Sequence, residues 1–215
     1  MPLEQTLSKK PSMPCTWQST SECQDCSIEG SLMCRFDSKD LVSFLMNCLP
    51  FGVTAIAGTI RAGYGWYLFL WLVYSIFFFF VWEARVLCSH CPMWAEESRV
   101  LHCHANHGVI KIWKYRPGPM SKSEQIQFVV GALVFIGFPF IFLLLGKEYL
   151  LALIGLAAII SAAFNLRKHT CSRCINFSCP MNAVPQQFVD AYLERNPSMR
   201  AAWEASGYRL GKVEQ

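Results

Sequence analysis

Long uncharged apolar runs alternate in this chain with polar segments rich in cysteine and histidine. Residues 41–60, 64–82, 126–145 and 149–166 carry no Asp, Glu, Lys or Arg. Each run approaches the roughly 20 residues with which a helix crosses about 30 Å of hydrocarbon. The pattern predicts an all-α membrane protein with four transmembrane helices, because buried helices of a soluble domain seldom stay apolar for so long. Pro50 and Pro139 fall inside the first and third runs and predict kinks rather than ends, provided that neighbouring groups satisfy the carbonyls they free. Asn47 is suitably placed to do this for Pro50. Gly52, Gly58, Gly131, Gly137 and Gly155, with the small residues Ala157, Ala158, Ser161, Ala162 and Ala163, allow close helix contacts.

The polar remainder divides into a cysteine-rich segment, 1–40, a Cys/His-rich loop, 83–125, and an amphipathic tail, 167–215. Two short turns, 61–63 and 146–148, complete the chain. Residues up to Asp40 contain no apolar stretch of signal-peptide type, so the first span is expected to stay uncleaved. Ser121 to Glu124 reads as a capping box that starts the third span. The tail reads as two helices split at Asn196-Pro197, with Asn196 as cap, Pro197 at the first helical position, and Phe188, Tyr192 and Trp203 on an apolar face.

Composition agrees with a membrane protein: 53% of residues are hydrophobic and 16% charged, with a mean hydropathy of +0.28. Of 19 Lys and Arg, only Arg61 and Lys147 fall in the two short turns. The positive-inside rule therefore places the three polar segments in the cytoplasm, with N-in, C-in topology in an inner (cytoplasmic) membrane. A net charge of +4 is modest, and nucleic-acid binding is not expected. Basic and aromatic residues interleaved from Lys111 to Arg116 suit headgroup contact or a docking face.

With that topology, ten of the 11 cysteines belong to a reducing compartment, where ligands or redox groups are the expected roles. Cys48 alone lies within a span. Cys15, Cys23, Cys26 and Cys34 form a CxxC pair flanked on each side by a single cysteine, and this quartet reads as a self-contained metal site that would fold on binding. The loop contributes Cys88, His90, Cys91, His102, Cys103, His104 and His107, and the tail Cys171, Cys174 and Cys179. Cys88, Cys91, Cys171 and Cys174 would make one shell if the second and fourth helices are neighbours. Alternatively, Cys171, Cys174 and Cys179 would join Cys103 or a histidine. The expected fold thus includes a cytoplasmic cysteine-rich metal-binding module.

Proline follows directly on Cys91 and Cys179, as it does on the last ligand of ferredoxin-type cluster runs. This favours iron–sulfur, with zinc as the alternative. Within the spans, Glu83 and Arg85 read as an interfacial pair, and the aromatic residues Trp66, Tyr67, Trp71, 77–80 and Trp82 as interfacial belts or the lining of a quinone pocket.

Four spans with Cys91-Pro92 and Cys179-Pro180 on one side resemble the polytopic iron–sulfur membrane subunits of quinol-dehydrogenase type. The resemblance implies [4Fe–4S] clusters and electron passage from quinol. The CxxxCP spacing and the contiguous ferredoxin repeat of those proteins are missing here, so the resemblance rests on architecture and the two Cys-Pro pairs. The expected function is electron transfer between a cytoplasmic redox partner and the membrane, with quinone as one acceptor. A zinc-shaped membrane scaffold or assembly factor and a thiol–disulfide oxidoreductase are the alternatives. No phosphate loop, dinucleotide fingerprint or Ser-His-Asp series is present.

Overall fold

A computed structural model of the chain describes residues 13–17, 23 and 26–211; the remainder of both terminal segments lies outside the described residues. Among these residues the elements are helical apart from one isolated antiparallel bridge between Val100 and Ile110. The α-helices are α1 (Ser38–Arg61), α2 (Tyr67–Phe77), α3 (Glu83–Val86), α4 (Lys122–Leu145), α5 (Tyr149–Leu166), α6 (Gln186–Glu194) and α7 (Pro197–Ala205). A π-helical stretch, Phe78–Trp82, joins α2 to α3, and another, Arg167–Cys171, extends α5. Four continuous helices, Ser38–Arg61, Tyr67–His90, Lys122–Leu145 and Tyr149–Cys171, are long and apolar enough to cross a membrane.

Two of these helices outrun the apolar pattern. The second and fourth were expected to end at 82 and 166, where charged residues begin. Instead they carry Glu83 and Arg167 onward, because folded chain rather than lipid meets those ends. Arg85 and Glu83 do not form the expected interfacial pair. The Arg85 guanidinium lies 5.4 Å from the centroid of the Trp113 ring, while Glu83 stands among cysteines. The α1 and α4 starts follow the sequence signals. Asp37 accepts from the Lys39 N–H, and Ser121 with Glu124 completes a reciprocal capping box.

α1 packs most extensively on α5, and α2 on α4. A Cβ at Gly155 would stand 3.2 Å from the Thr54 hydroxyl, and one at Gly131 only 2.1 Å from the Phe78 ring. Close approach is therefore built into both contacts. At the far end, Arg61 reaches Glu148 at 3.3 Å, tying the two short turns together. Many leucines, isoleucines and phenylalanines of the spans, such as Leu70, Leu133 and Leu153, face outward, as contact with lipid requires.

Pro139 has no N–H, so the carbonyl four residues earlier, that of Phe135, loses its helical partner. The indole of Trp71 donates to that carbonyl at 2.9 Å, so α2 supplies the bond that α4 cannot make. Nearby, the Tyr74 hydroxyl donates to the Gly131 carbonyl at 2.9 Å. Asn47 does not play the corresponding part for Pro50. Its amide donates to Ser43 O at 2.8 Å, not to the carbonyl of Met46, the one freed by Pro50.

The dense core lies outside the spans. Ile28 and Leu32 from the N-terminal segment, Met93, Trp94, Leu101 and Val109 from the loop, and Ile175, Val189, Tyr192, Leu193, Met199 and Trp203 from the tail form one buried cluster. Three segments distant in sequence thus build a single module.

Replacing Trp71 by Phe should destabilise the detergent-solubilised protein by about 1–3 kcal/mol, the usual result of stranding a buried carbonyl. In a Pro139→Ala background the new N–H can bond Phe135 O, so the same change should cost much less. Thermal unfolding of the four proteins of this cycle measures the coupling, and strict additivity would show that the indole does not serve this carbonyl.

Candidate cysteine-lined sites

Cys15, Cys23, Cys26 and Cys34 collect at one corner of the module. Cys34 lies within electrostatic reach of the other three thiols, and Cys15 of Cys23 and Cys26. This quartet is not self-contained as its spacing suggested. Cys15 N–H donates to Asn196 Oδ1 at 2.6 Å, Asn196 Nδ2 donates to Cys15 Sγ at 3.3 Å and to Tyr192 O at 2.6 Å, and the Thr16 and Tyr192 hydroxyls bond at 2.7 Å. Trp17 Nε1 reaches Pro92 O at 2.9 Å. The N-terminal segment is too short to bury its own polar backbone, so the tail and the loop do it. Asn196 therefore stands at the start of α7 without making a side-chain cap bond, a role that its position before proline had suggested. Arg35 Nη2 approaches Cys23 Sγ at 3.7 Å.

The second group brings loop and tail together. Cys88 neighbours Cys103 and Cys179, Cys91 neighbours Cys103 and Cys174, and Cys174 neighbours Cys179 and Cys171. Neither pairing proposed from the sequence describes it fully. Five thiols converge with Cys171 at the edge, and they do so although α5 packs chiefly on α1. The turn after α5 makes the link: Ile175 is buried in the module core, and Asn176 Nδ2 donates to Leu87 O at 3.4 Å.

Backbone N–H groups lie near four of these sulfurs and favour their thiolate forms: Met93 near Cys91, His104, Ala105 and Asn106 near Cys103, Asn176 near Cys174, and Met181 and Asn182 near Cys179. Proline after Cys91 and Cys179 starts the turns that place these donors. Cys88 is different, facing the side-chain amide of Asn106 at 3.7 Å. Donors to sulfur stabilise a thiolate over a thiol.

Each histidine of the loop has a partner other than a thiol. His90 Nδ1 meets Gly118 O at 2.6 Å, with Nε2 3.5 Å from Glu124. His102 Nδ1 meets Glu96 at 2.7 Å, and His107 stacks on Phe36 at 4.6 Å. His104 is buried, which lowers its pKa, and its Nε2–H donates to Met33 O at 3.3 Å. His104 and His107 thereby brace the loop against the N-terminal segment, while His90 ties it to α4 and His102 bonds within the loop.

Three residues escaped the reading of the motifs. Glu83 lies within electrostatic reach of Cys88, Cys103 and Cys179. Fully buried Tyr192 neighbours Cys15, Cys34 and Tyr115, and Tyr115 neighbours Cys91, so the two tyrosines stand between the groups. Only Glu83 had a signal in the sequence: a carboxylate at the end of an apolar helix, five residues before a CxxCP motif.

Among the described residues no three Cys, His, Asp or Glu side chains stand close enough to hold one metal ion. No protein-family model, curated protein or solved structure matches the chain.

Asn196→Ala should cost about 1–3 kcal/mol by stranding the Cys15 N–H, and equilibrium unfolding together with faster alkylation of Cys15 would register it. A second expectation concerns pH. Burial pushes the thiol of Cys34 up to about 12 and that of Cys179 up to about 11, and it raises Cys91, Cys103 and Cys174 in the same direction. Folding therefore favours the neutral thiols. This contribution is complete below the ordinary thiol value of about 9 and is lost as pH climbs towards those raised values. Chelator-treated protein should accordingly unfold at lower denaturant at about pH 10.5 than at about pH 8, and Cys34→Ser should flatten that dependence.

Proposed function

We propose that this chain is a membrane-embedded electron-transfer protein with two iron–sulfur centres on one face of its helices. Cys15, Cys23, Cys26 and Cys34 would hold the outer centre. Cys91, Cys103, Cys174 and Cys179 would hold the inner one, with Cys88 and Cys171 at its margin. The bias of Lys and Arg supports a cytoplasmic address for this face.

The observation that carries the reading is the set of backbone N–H groups near Cys91, Cys103, Cys174 and Cys179. Such donors stabilise cysteinates and help set the potential of a cluster. Tyr192 and Tyr115, placed between the groups, support exchange between them.

In this reading no side chain makes or breaks a bond. One electron enters at one centre, passes to the other and leaves to an acceptor, with a cytoplasmic protein on one side and a membrane carrier such as quinone on the other. The protein's part is to hold the thiolates, exclude water from the inner group, and adjust charge through residues such as Arg173 and Arg35.

Anaerobic purification should yield iron and acid-labile sulfide, with a visible charge-transfer band that bleaches on dithionite reduction. Cys26→Ala should remove part of the iron, Cys91→Ala or Cys174→Ala another part, each leaving the rest in place. Stoichiometric zinc without sulfide would instead make the module a structural scaffold. A single CxxC pair that alkylates selectively and cycles with redox state would make the protein a thiol–disulfide oxidoreductase.

A further inference from the structure

Ile110, Ile112, Trp113 and Met181 are, among the described residues, the large apolar side chains that stand exposed outside the four spans and the turn residue Trp66. Three of them share one short stretch. Residues 99–111 double back as a hairpin, in which the Leu101 N–H donates to Val109 O at 2.8 Å and the Lys111 N–H to Arg99 O at 2.9 Å. Side chains alternate along such extended backbone. Val109 is accordingly buried, and Lys111 turns its ammonium inward to the carbonyls of Trp94 and Glu96. Ile110 and Ile112 face outward, 61% and 59% exposed.

The depth of this face indicates what covers it. Asn106 Nδ2 donates to Phe79 O at 3.3 Å and Trp113 Nε1 to Val81 O at 3.2 Å, so the hairpin hangs from two carbonyls of the π-helical turn in the second span. Val81 immediately precedes Trp82, the last residue of the uncharged run, and one residue is only about 1.5 Å of helix rise. The face therefore lies level with the boundary between hydrocarbon and headgroups. Trp94 Nε1 donates to Trp113 O at 2.8 Å, which fixes Trp113 to the module core as well. Two exposed cations adjoin it: Arg85, whose guanidinium lies 5.4 Å from the ring centroid, and Lys114, next in the chain. An apolar face continuous with lipid-facing helices, a tryptophan at the boundary and two cations match one covering surface, a bilayer with anionic headgroups.

We propose that residues 110–114 form an interfacial lipid site: Ile110 and Ile112 enter the leaflet on the module's side, and Arg85 with Lys114 holds the phosphate of an anionic phospholipid beside Trp113. This rests on the four helices spanning a membrane and not on the identity of any metal. Cys103 lies in the turn of the same hairpin, between Leu101 and Val109. Lipid contact thus also fixes where that thiol stands relative to the membrane.

The test uses the full-length protein. p-Benzoylphenylalanine placed at Ile112, and separately at Ile110, should form phospholipid adducts on irradiation in native membranes. Adducts solely with polypeptide, a second copy of this chain included, or no adduct at either position would overturn the proposal. A second measurement leaves the apolar face intact. The thermal unfolding midpoint of the detergent-solubilised protein should rise with phosphatidylglycerol, and not with the same concentration of phosphatidylcholine or inorganic phosphate. Lys114→Gln should raise the phosphatidylglycerol concentration needed for half of this effect about fivefold, as removal of about 1 kcal/mol of headgroup attraction implies, with the midpoint in phosphatidylcholine unchanged. An equal response to the two lipids or to phosphate, or a Lys114→Gln protein that titrates like the parent, would equally overturn it.

Discussion

Four spans joined by two very short turns leave every long polar segment on the same face of the helices. That constraint governs the rest of the molecule. The helices hold the described parts of the N-terminal segment, the loop and the tail within reach of one another. Their shared core of Ile28, Leu32, Trp94, Leu101, Ile175, Tyr192 and Trp203 is the consequence. The closure entropy of long loops is reduced because their ends are already fixed by the spans.

Polar satisfaction decides the details within that frame. In the helices, the indole of Trp71 meets the carbonyl that Pro139 leaves free, joining α2 to α4 with a bond that lipid could not supply. In the module, Asn196 closes the backbone at Cys15, and the turns after Cys91, Cys103, Cys174 and Cys179 place N–H groups near sulfur. Glu83 Oε2 and the Tyr115 hydroxyl are exceptions to this economy, both enclosed without a hydrogen-bond partner.

The continuity of the second and fourth helices into the cysteine motifs gives the membrane and the module a rigid connection. π-Helical turns at Phe78–Trp82 and Arg167–Cys171 widen the helices just before the cysteines, and such turns recur at functional sites. Cys88 and Cys171 are consequently placed by elements anchored in the spans, while Cys103 and Cys179 are placed by loops.

The four spans, the α4 capping box and the two tail helices were legible in the sequence, because apolar run length and local capping act over a few residues. CxxC and Cys-Pro are local signals, so the positions of the cysteine motifs along the chain were legible as well. Which thiols come near one another was decided only by the tertiary structure. Convergence of Cys88, Cys91, Cys103, Cys174 and Cys179 depends on Asn176 meeting Leu87 and on Ile175 filling the core, contacts between residues some 90 positions apart for which periodicity carries no signal. The same holds for Asn196, whose place before proline suggested a cap while packing turned it to Cys15. It holds for Glu83, whose charge at a helix end suggested the interface until the module covered it. Local pattern determines which element a residue joins; burial against distant chain determines what its side chain must do.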